Sequence, residues 1–252
     1  GIGNAARARK AVSLRMFFRY LTKQEMMLDE NPAAMLDTAK IKKTLPVHLT
    51  EEESVELLSN VEGGNTERDF CILTLFLNCG LRVSELCAID VTDLRSDNTL
   101  TVTGKGNKQR TIYLNEACLD AIRAYLPERA KQAAPGEQAL FVTRRRTRIS
   151  PMTVKWLVKK RLGEAGLDTD KYSAHKLRHT AATLMYQNGV DVLALKEILG
   201  HEQLNTTQIY THVNNDILRR AAEQNPLANL NRRSAAQQRH GDSDGGNDEK
   251  ET

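Results

Sequence analysis

The sequence predicts a mainly α-helical protein with one small β-hairpin, which is an α+β fold. Apolar residues recur every three or four positions along most of the 252 residues, the spacing of an amphipathic helix. Strict alternation of apolar and polar residues, the spacing of a strand, appears in only two short runs near residues 100 and 112. Glycines follow several of the helical runs and mark where those helices end.

A basic helix opens the chain. Apolar residues between Ala11 and Leu21 keep helical spacing, while five basic residues between Arg7 and Arg19 cover the rest of the segment. The simplest interpretation is a solvated charged surface over an apolar stripe that faces a core.

Composition changes divide the chain into four parts. The segment from Asp37 to Pro46 has no sustained apolar period and contains three lysines, which is typical of a linker between domains. The residues after position 231 contain no large apolar side chain, so nothing there can offset the entropy cost of ordering. The predicted parts are a helical segment over residues 1–38, a linker over 39–46, the main domain over 47–231 and a disordered tail over 232–252.

Capping signals locate the first helices of the main domain. Thr50 and Glu53 have the spacing of a capping box and predict a helix from the next residue onward. Thr66 and Asp69 predict the start of a second helix with a wide apolar face, which Gly80 ends.

Two alternating runs predict the hairpin. Leu100 and Val102 alternate with threonines, and Ile112 and Leu114 alternate with polar residues in the same way. The turn between them, over residues 104–108, carries two lysines at its tip.

Four further helices and two short segments complete the predicted domain. The helices are expected over residues 116–126, residues 151–164 behind Ser150, residues 174–188 behind Ser173, and residues 192–199 before Gly200. The short segments are expected around Tyr210 and over residues 217–223.

Composition excludes several classes of protein. A formal charge of +4 is a mild basic excess, compatible with a polyanionic partner but not proof of one. The four cysteines show no CxxC spacing and are expected to be reduced core thiols. No apolar stretch reaches the roughly 20 residues that cross a bilayer, and no signal peptide opens the chain. We therefore expect a cytoplasmic protein without disulfide bonds or a membrane anchor.

Five short motifs follow one another along the main domain. They are Gly-Leu-Arg-Val-Ser-Glu-Leu over residues 80–86, Gly-Lys-Gly-Asn-Lys over 104–108, His-Lys-Leu-Arg-His over 175–179, Leu-Gly-His over 199–201 and Ile-Tyr-Thr-His over 209–212. Each motif alone is common, but all five in this order are specific. Together they resemble the catalytic motifs of the tyrosine recombinase (phage integrase) family, most closely its Xer-type bacterial members. The resemblance covers residues 47–226 and, more weakly, residues 4–31.

The resemblance implies a fold and an activity. The fold would be a tyrosine recombinase catalytic domain preceded by part of a helical core-binding domain. The activity would be cutting and rejoining of double-stranded DNA through a 3′-phosphotyrosyl intermediate, with no metal and no cofactor. Family members act as homo-tetramers or paired subunits on DNA, with a C-terminal helix, here residues 216–230, docked on a neighbour. Xer-like chromosome-dimer resolution is the implied role in chromosome segregation, and integration or excision of a mobile element is the alternative.

The two arginines in the motifs suit the binding of a phosphate. Arg82 and Arg178 can each make paired hydrogen bonds to phosphate oxygens, and a guanidinium stays charged at every relevant pH. Arg82 lies between Gly80 and Ser84, a predicted cap of a short helix, where its side chain can point into a cleft. Ordinary surface ion pairs are the simpler alternative.

The resemblance distributes the remaining roles. Tyr210 is the expected nucleophile, His175 the candidate base and His201 a donor to a phosphate oxygen. Lys105 is the expected general acid for the departing 5′ oxygen, with Lys108 as its competitor. The five other tyrosines have apolar neighbours and are expected to pack in or beside the core; they are Tyr20, Tyr113, Tyr125, Tyr172 and Tyr186.

Three alternatives remain beside this interpretation. His175 and His179 have the spacing of a zinc-binding pair, but cationic Lys176 and Arg178 lie between them, and we expect no metal site. A type IB topoisomerase would share the nucleophile and the arginines. A non-catalytic DNA-binding protein would be expected to lack at least one of the six site residues.

DNA contacts are expected from basic residues outside the catalytic set. They are Arg15, Arg19, Lys108, Arg144, Arg145 and Lys176.

Overall fold

The computed structural model describes residues 2–37, 47–104, 107–200 and 222–228. The chain forms two compact units, Gly1–Pro46 and Val47–Thr252. The mainly helical fold with a single antiparallel hairpin in the described residues confirms the predicted fold class. The helices are α1 (Asn4–Lys23), α2 (Glu51–Ser59), α3 (Thr66–Cys79), α4 (Val83–Ala88), α5 (Glu116–Gln132), α6 (Pro151–Glu164), α7 (Ala174–Gln187) and α8 (Val192–Leu199), with a 3₁₀ turn at Val91–Asp93 and strands β1 (Thr99–Thr103) and β2 (Gln109–Tyr113).

The first unit is built on α1. The apolar stripe predicted along α1 is not buried as a core stripe would be, since Leu14 is 46% exposed and Phe17 is 55% exposed. The Asn31 side chain donates to the Arg15 carbonyl at 3.3 Å, and the Arg15 guanidinium donates to the Leu36 carbonyl. These two bonds tie the segment after α1 back onto the helix.

The second unit is organised around α3. Thirteen of its 14 residues are buried, so the helix is enclosed on all sides, as a central core helix must be. It packs against α2, α5 and α7. Tyr125 of α5 is 1% exposed and stacks on Phe141 with ring centroids 5.5 Å apart, and its hydroxyl accepts from the Val142 amide at 3.2 Å.

A buried ion network ties α3 to α6. Asp69 accepts from Arg68 at 2.8 Å and from Arg161 Nε at 3.0 Å. Arg161 also donates to the Glu62 carbonyl at 2.6 Å and to Glu164 at 2.8 Å. A buried carboxylate with two guanidinium partners is well satisfied, whereas removal of one partner would leave an uncompensated charge.

The predicted capping box is confirmed at α2, and two other caps differ from expectation. Thr50 accepts from the Glu53 amide at 3.1 Å, and the Glu53 carboxylate accepts from the Thr50 amide at 2.8 Å. Thr66 is the first residue inside α3, and its hydroxyl donates to the Gly63 carbonyl, so Asn65 is the N-cap. Ser84 lies inside α4, and Arg82 is the N-cap because Glu85 bonds back to the Arg82 amide.

Helix α5 continues through Pro127 to Gln132, six residues beyond its predicted end. The sequence places proline where a helix usually stops. Arg129, in the turn after the proline, donates to the Ala139 carbonyl at 2.8 Å and to the Glu137 carbonyl at 2.6 Å. These tertiary bonds stabilise a helical turn that local propensity disfavours.

The hairpin is antiparallel, with Val102 opposite Arg110 and Leu100 opposite Ile112. Ile112 is 3% exposed, so its face of β2 points into the core. Arg110 lies two positions away and therefore shares that inward face.

Residues 222–228 provide hydrogen-bond partners for the ends of two helices of their own domain. The Asn225 side chain donates to the Leu77 carbonyl at 2.9 Å, in the last turn of α3. The Ala228 carbonyl accepts from the Ala117 amide at 2.8 Å, in the first turn of α5. Carbonyls in the last turn of a helix and amides in the first turn lack partners within the helix, so this segment supplies partners that both ends require.

Residues 222–228 pack on their own chain in this structure, and the expected docking of the segment 216–230 on a neighbour stays a prediction. Leu227 is 1% exposed, buried against the core of its own chain. The structure describes residues 222–228 of this segment, since 216–221 and 229–230 lie outside the described residues.

Two further findings concern what the described residues contain. All four cysteines are free and buried, as predicted. Among the residues placed by the structure, no helix is both long enough and apolar enough to cross a membrane.

Candidate active site

Three arginines surround one buried carboxylate in the second unit. Glu85 Oε1 accepts from Arg82 Nη1 at 2.6 Å and from Arg110 Nη1 at 2.7 Å. Glu85 Oε2 accepts from Arg110 Nη2 at 3.0 Å and lies 3.8 Å from Arg178 Nη1. The structure thus brings together Arg82 and Arg178, which the sequence analysis selected from separate motifs.

The electrostatics of the cluster keep Glu85 and Arg178 ionised at neutral pH. Burial alone would raise the pKa of Glu85, but hydrogen bonds from Arg110 and Arg82 outweigh it and lower the pKa to about 2. Burial, followed by the charge of Arg82, lowers the pKa of Arg178 to about 10, which still leaves it protonated at pH 7. Three guanidinium groups and one carboxylate therefore carry a formal charge of +2.

The same arginines hold the C-terminal end of α8. Each of the last three carbonyls there accepts a hydrogen bond from a different arginine. The bonds are Arg110 Nε to Ile198 at 3.1 Å, Arg178 Nη2 to Leu199 at 2.6 Å and Arg82 Nη2 to Gly200 at 3.0 Å. Terminal carbonyls of a helix lack partners within it and carry its negative dipole, so cations are favourable there.

Two glycines bring the neighbouring motifs to the cluster. A side-chain carbon at Gly104 would lie 3.5 Å from Glu85 Oε1 and 4.0 Å from Arg82 Nη1. A side-chain carbon at Gly200 would lie 3.1 to 3.3 Å from the Arg110 side chain, and φ is +60° at this glycine. Lys105 follows Gly104 directly and His201 follows Gly200 directly. In each motif, the glycine that precedes the expected catalytic residue therefore lies beside the arginine cluster.

Arg178 is the most deeply held member of the cluster. Its side chain is 6% exposed, and its Nη1 donates to the Gly80 carbonyl at the end of α3. Arg82 is more open, at 37%. Arg82 makes one described hydrogen bond from each terminal nitrogen, which uses two of the five donor hydrogens of a guanidinium. Arg82 therefore retains donor capacity toward an incoming anion.

The two histidines of the α7 motif have different environments. His175 is exposed on α7, one turn before Arg178. His179 is partly buried, and its ring lies edge-on to His48 with centroids 6.5 Å apart. Burial, followed by the charge of Lys176, lowers the pKa of His179. In the described ranges, no three His, Cys, Asp or Glu side chains are grouped as metal ligands.

The remaining predicted contacts lie on the surface. Lys108, Arg144, Arg145 and Arg19 are exposed, and Lys176 and Arg15 are partly buried. Lys105, His201 and Tyr210 lie outside the described residues, so their roles stay predictions. Of the tyrosines expected to pack, Tyr125 and Tyr172 are buried and Tyr113 is partly buried, whereas Tyr20 and Tyr186 are 47% and 59% exposed. The packing expectation was wrong for these last two.

Sequence reasoning missed Glu85 and Arg110. Glu85 follows Arg82 by three residues in a helix, a spacing that brings the two side chains together. Arg110 occupies an inward position of β2, two residues before buried Ile112, where the alternation of the strand calls for an apolar residue. A charged residue in an apolar register was the available signal.

The low pKa of Glu85 predicts a specific acid sensitivity. A carboxyl whose pKa falls from 4.5 to about 2 on folding stabilises the protein above pH 4.5, and that stabilisation is lost as pH falls toward 2. The shift is equivalent to about 3 kcal/mol. We expect the gap in unfolding free energy between the wild type and Glu85→Gln to shrink by about that amount between roughly pH 5 and pH 2. Denaturant melts of both proteins at several pH values measure it, and a gap independent of pH would contradict it.

Comparison with known proteins gives a family for these motifs. The model of the phage integrase family matches residues 48–216. A tyrosine recombinase XerC from Caldanaerobacter subterraneus is 54% identical over 224 residues, covering 88% of this chain and 63% of that protein. A tyrosine recombinase XerC from Thermodesulfovibrio yellowstonii is 37% identical, covering 82% of this chain and 70% of that protein. The chain thus spans less than two thirds of the first relative's length.

Solved structures show the same fold. A XerH site-specific recombinase bound to a palindromic difH substrate, in a post-cleavage complex, is similar with a TM-score of 0.70 and 27% identity, covering 88% of this chain and 68% of that one. The integrase from mycobacterium phage Brujita is similar with a TM-score of 0.61 and 26% identity, covering 94% of this chain and 78% of that one.

Proposed function

Because the chain belongs to the phage integrase family, we propose that it is a site-specific tyrosine recombinase that cuts and rejoins double-stranded DNA. The observation that carries this proposal is the cluster of Arg82, Arg110 and Arg178 around Glu85, with a formal charge of +2. A phosphodiester carries one negative charge, and the pentacoordinate transition state of its cleavage carries more. A preorganised cationic site in a partly buried position stabilises that additional charge.

The proposed reaction divides the chemistry among the six site residues. The Tyr210 oxygen attacks the scissile phosphorus, and His175 accepts the phenol proton, which is needed because a phenol has a pKa near 10. Arg82, Arg178 and His201 donate to the non-bridging oxygens. The bond from phosphorus to the 5′ oxygen breaks, and Lys105 gives that oxygen a proton. A 5′-hydroxyl from a partner duplex later reverses these steps, so the bond energy is retained in the 3′-phosphotyrosyl link.

A nicked suicide duplex tests the proposal. The short 5′-hydroxyl strand released by cleavage diffuses away, so the covalent protein–DNA adduct accumulates and is visible on a denaturing gel. We expect adducts on Xer-type recombination sites, formed equally well in EDTA because the arginines stabilise the charge. A strict need for added Mg²⁺ in the chemical step would contradict this mechanism, and the absence of adducts on every candidate site would contradict the function.

Lys105→Ala should slow cleavage by about 100-fold or more, the usual contribution of general acid catalysis. Sulfur in place of the bridging 5′ oxygen should restore most of the loss, because a thiolate leaves without a proton. Lys108→Ala is the matched variant in the same turn; it should lose only the effect of one DNA contact, and sulfur should not restore that loss. Rescue of Lys108→Ala by sulfur would move the general acid to Lys108.

We further propose that subunits pair on DNA by exchanging the segment 216–230. Residues 222–228 already occupy a complementary groove between α3 and α5 of their own chain. The same groove on a neighbour offers the same unpaired helix ends and the same apolar pocket for Leu227. Exchange of an identical element between copies needs no new interface, only release from one copy and docking on the next.

A chain that ends at Asn215 tests the exchange. It should still bind DNA but fail to hold two duplexes in one complex, as judged by native gels and light scattering. A peptide of residues 216–230 should bind this shortened chain, whose groove is vacant, and should not bind the full chain. Normal assembly of the shortened chain on paired sites would contradict the exchange.

The biological role we propose is chromosome-dimer resolution in the cytoplasm, with integration or excision of a mobile element as the alternative. The identity to XerC relatives favours the first. A supercoil-relaxation assay separates both roles from a type IB topoisomerase, which relaxes DNA as a monomer without a second duplex.

A further inference from the structure

We propose that Arg110 is a positioning residue, which holds Glu85 and the end of α8 so that Arg82 and Arg178 stay available to the scissile phosphate. This inference rests on the proposed function and adds a residue outside the five motifs to it. Arg110 lies on β2, and its side chain is 15% exposed.

The contacts of Arg110 run in two directions. Its two terminal nitrogens reach both oxygens of Glu85, at 2.7 and 3.0 Å. Its Nε points the other way, to the Ile198 carbonyl at 3.1 Å. Arg110 therefore joins the hairpin, the N-terminal turn of α4 and the C-terminal end of α8. Lysine could not make all three bonds, because a single ammonium lacks the fork of a guanidinium.

The role of these contacts follows from competition for Glu85. A buried carboxylate needs compensating donors, and Arg82 and Arg178 are the other cations beside it. With Arg110 in place, each oxygen of Glu85 accepts a charge-assisted hydrogen bond from it. Without Arg110, Glu85 keeps only Arg82 and Arg178 as cationic partners. Both arginines are then drawn toward Glu85 and away from a phosphate.

Charge leads to the same conclusion. Loss of Arg110 lowers the formal charge of the cluster from +2 to +1, while additional loss of the Glu85 charge returns it to +2. If Arg110 acts through Glu85, removal of both should therefore be less harmful than removal of Arg110 alone. An arginine that acts only on stability would show this recovery in the melting temperature but not in the cleavage rate of the folded protein.

A double-mutant cycle of Arg110→Met and Glu85→Gln tests the inference by single-turnover cleavage of the suicide duplex. Arg110→Met should slow cleavage by about 100-fold, since small displacements of a positioned group can cost that much. Adding Glu85→Gln should recover about 10-fold of this loss, a coupling expected for residues in direct contact. Arg110→Lys, which keeps the charge but not the fork, should fall between the wild type and Arg110→Met.

Arg148→Met is the matched control. The Arg148 guanidinium also caps two carbonyls, those of Cys87 at 3.0 Å and Ile89 at 3.2 Å, and it pairs with Asp90. None of these three partners belongs to the arginine cluster. Arg148→Met should lower the melting temperature much as Arg110→Met does, yet cleave DNA within a few fold of the wild type.

A second readout does not depend on DNA cleavage. Calorimetry measures the affinity for inorganic phosphate of the four proteins in the cycle: the wild type, the two single variants and the double variant. This affinity should fall several-fold in Arg110→Met and return toward the wild-type value in the double variant. If the wild type forms no adduct but this phosphate cycle holds, the proposed function fails and the inference about Arg110 stands. If adducts form but the cycle shows no recovery in cleavage or in phosphate affinity, the inference is overturned and the proposed function stands.

Discussion

Tyr210→Phe should abolish the covalent protein–DNA adduct while DNA affinity stays within a few fold of the wild type. The substitution removes only the oxygen that forms the bond to phosphorus, and no other group of the protein can supply it. The arginine cluster that would bind the phosphate is unchanged, so binding survives. Denaturing gels of the nicked suicide duplex measure the adduct, and gel-shift titration measures affinity.

Two other tyrosines serve as controls. Tyr186 is 59% exposed on α7, the helix that carries His175 and Arg178. Tyr113 is partly buried at the end of β2. Tyr186→Phe and Tyr113→Phe should each leave adduct formation within a few fold of the wild type. Adducts that persist in Tyr210→Phe and vanish in either control would move the nucleophile to that tyrosine.

Arg178→Lys should slow cleavage by about 100- to 1,000-fold, the cost of losing one positioned donor to a developing oxyanion. The charge is retained, but the geometry is not. Arg178 reaches the Gly80 carbonyl, the Leu199 carbonyl and Glu85 from one planar group. A lysine ammonium can serve only part of this set, so α3 and α8 lose a shared partner.

Arg82→Lys provides the comparison. Its side chain is 37% exposed, so we expect a similar loss of cleavage with a smaller loss of stability. Thermal melts of the two variants separate these effects. Cleavage near the wild-type rate in either variant would reduce that arginine to a structural role.

Local signals predicted most of the fold, and tertiary contacts account for what they missed. The Thr50 capping box, the Gly80 helix end and the bounds of α6 depend on residues within a few positions, and all three are confirmed. The extension of α5 through Pro127 depends on carbonyls eight and ten residues away, which accept from Arg129. No local pattern contains that information.

The same distinction applies to the candidate site. Arg82 and Arg178 could be selected because their motifs are local and specific. Glu85 and Arg110 were missed because their local signals are weak and their importance lies in contact with each other across 25 positions of sequence. The cis packing of residues 222–228 also depends on distant contacts, since Asn225 bonds to Leu77 across 148 positions.

The bonds at the end of α8 also determine when the site can exist. Arg82 bonds to Gly200 across 118 positions, and Arg110 bonds to Ile198 across 88. Contacts this distant form late in folding, after the loop-closure entropy between them has been overcome. A nascent chain still on the ribosome, with α8 not yet released, therefore has no assembled arginine site.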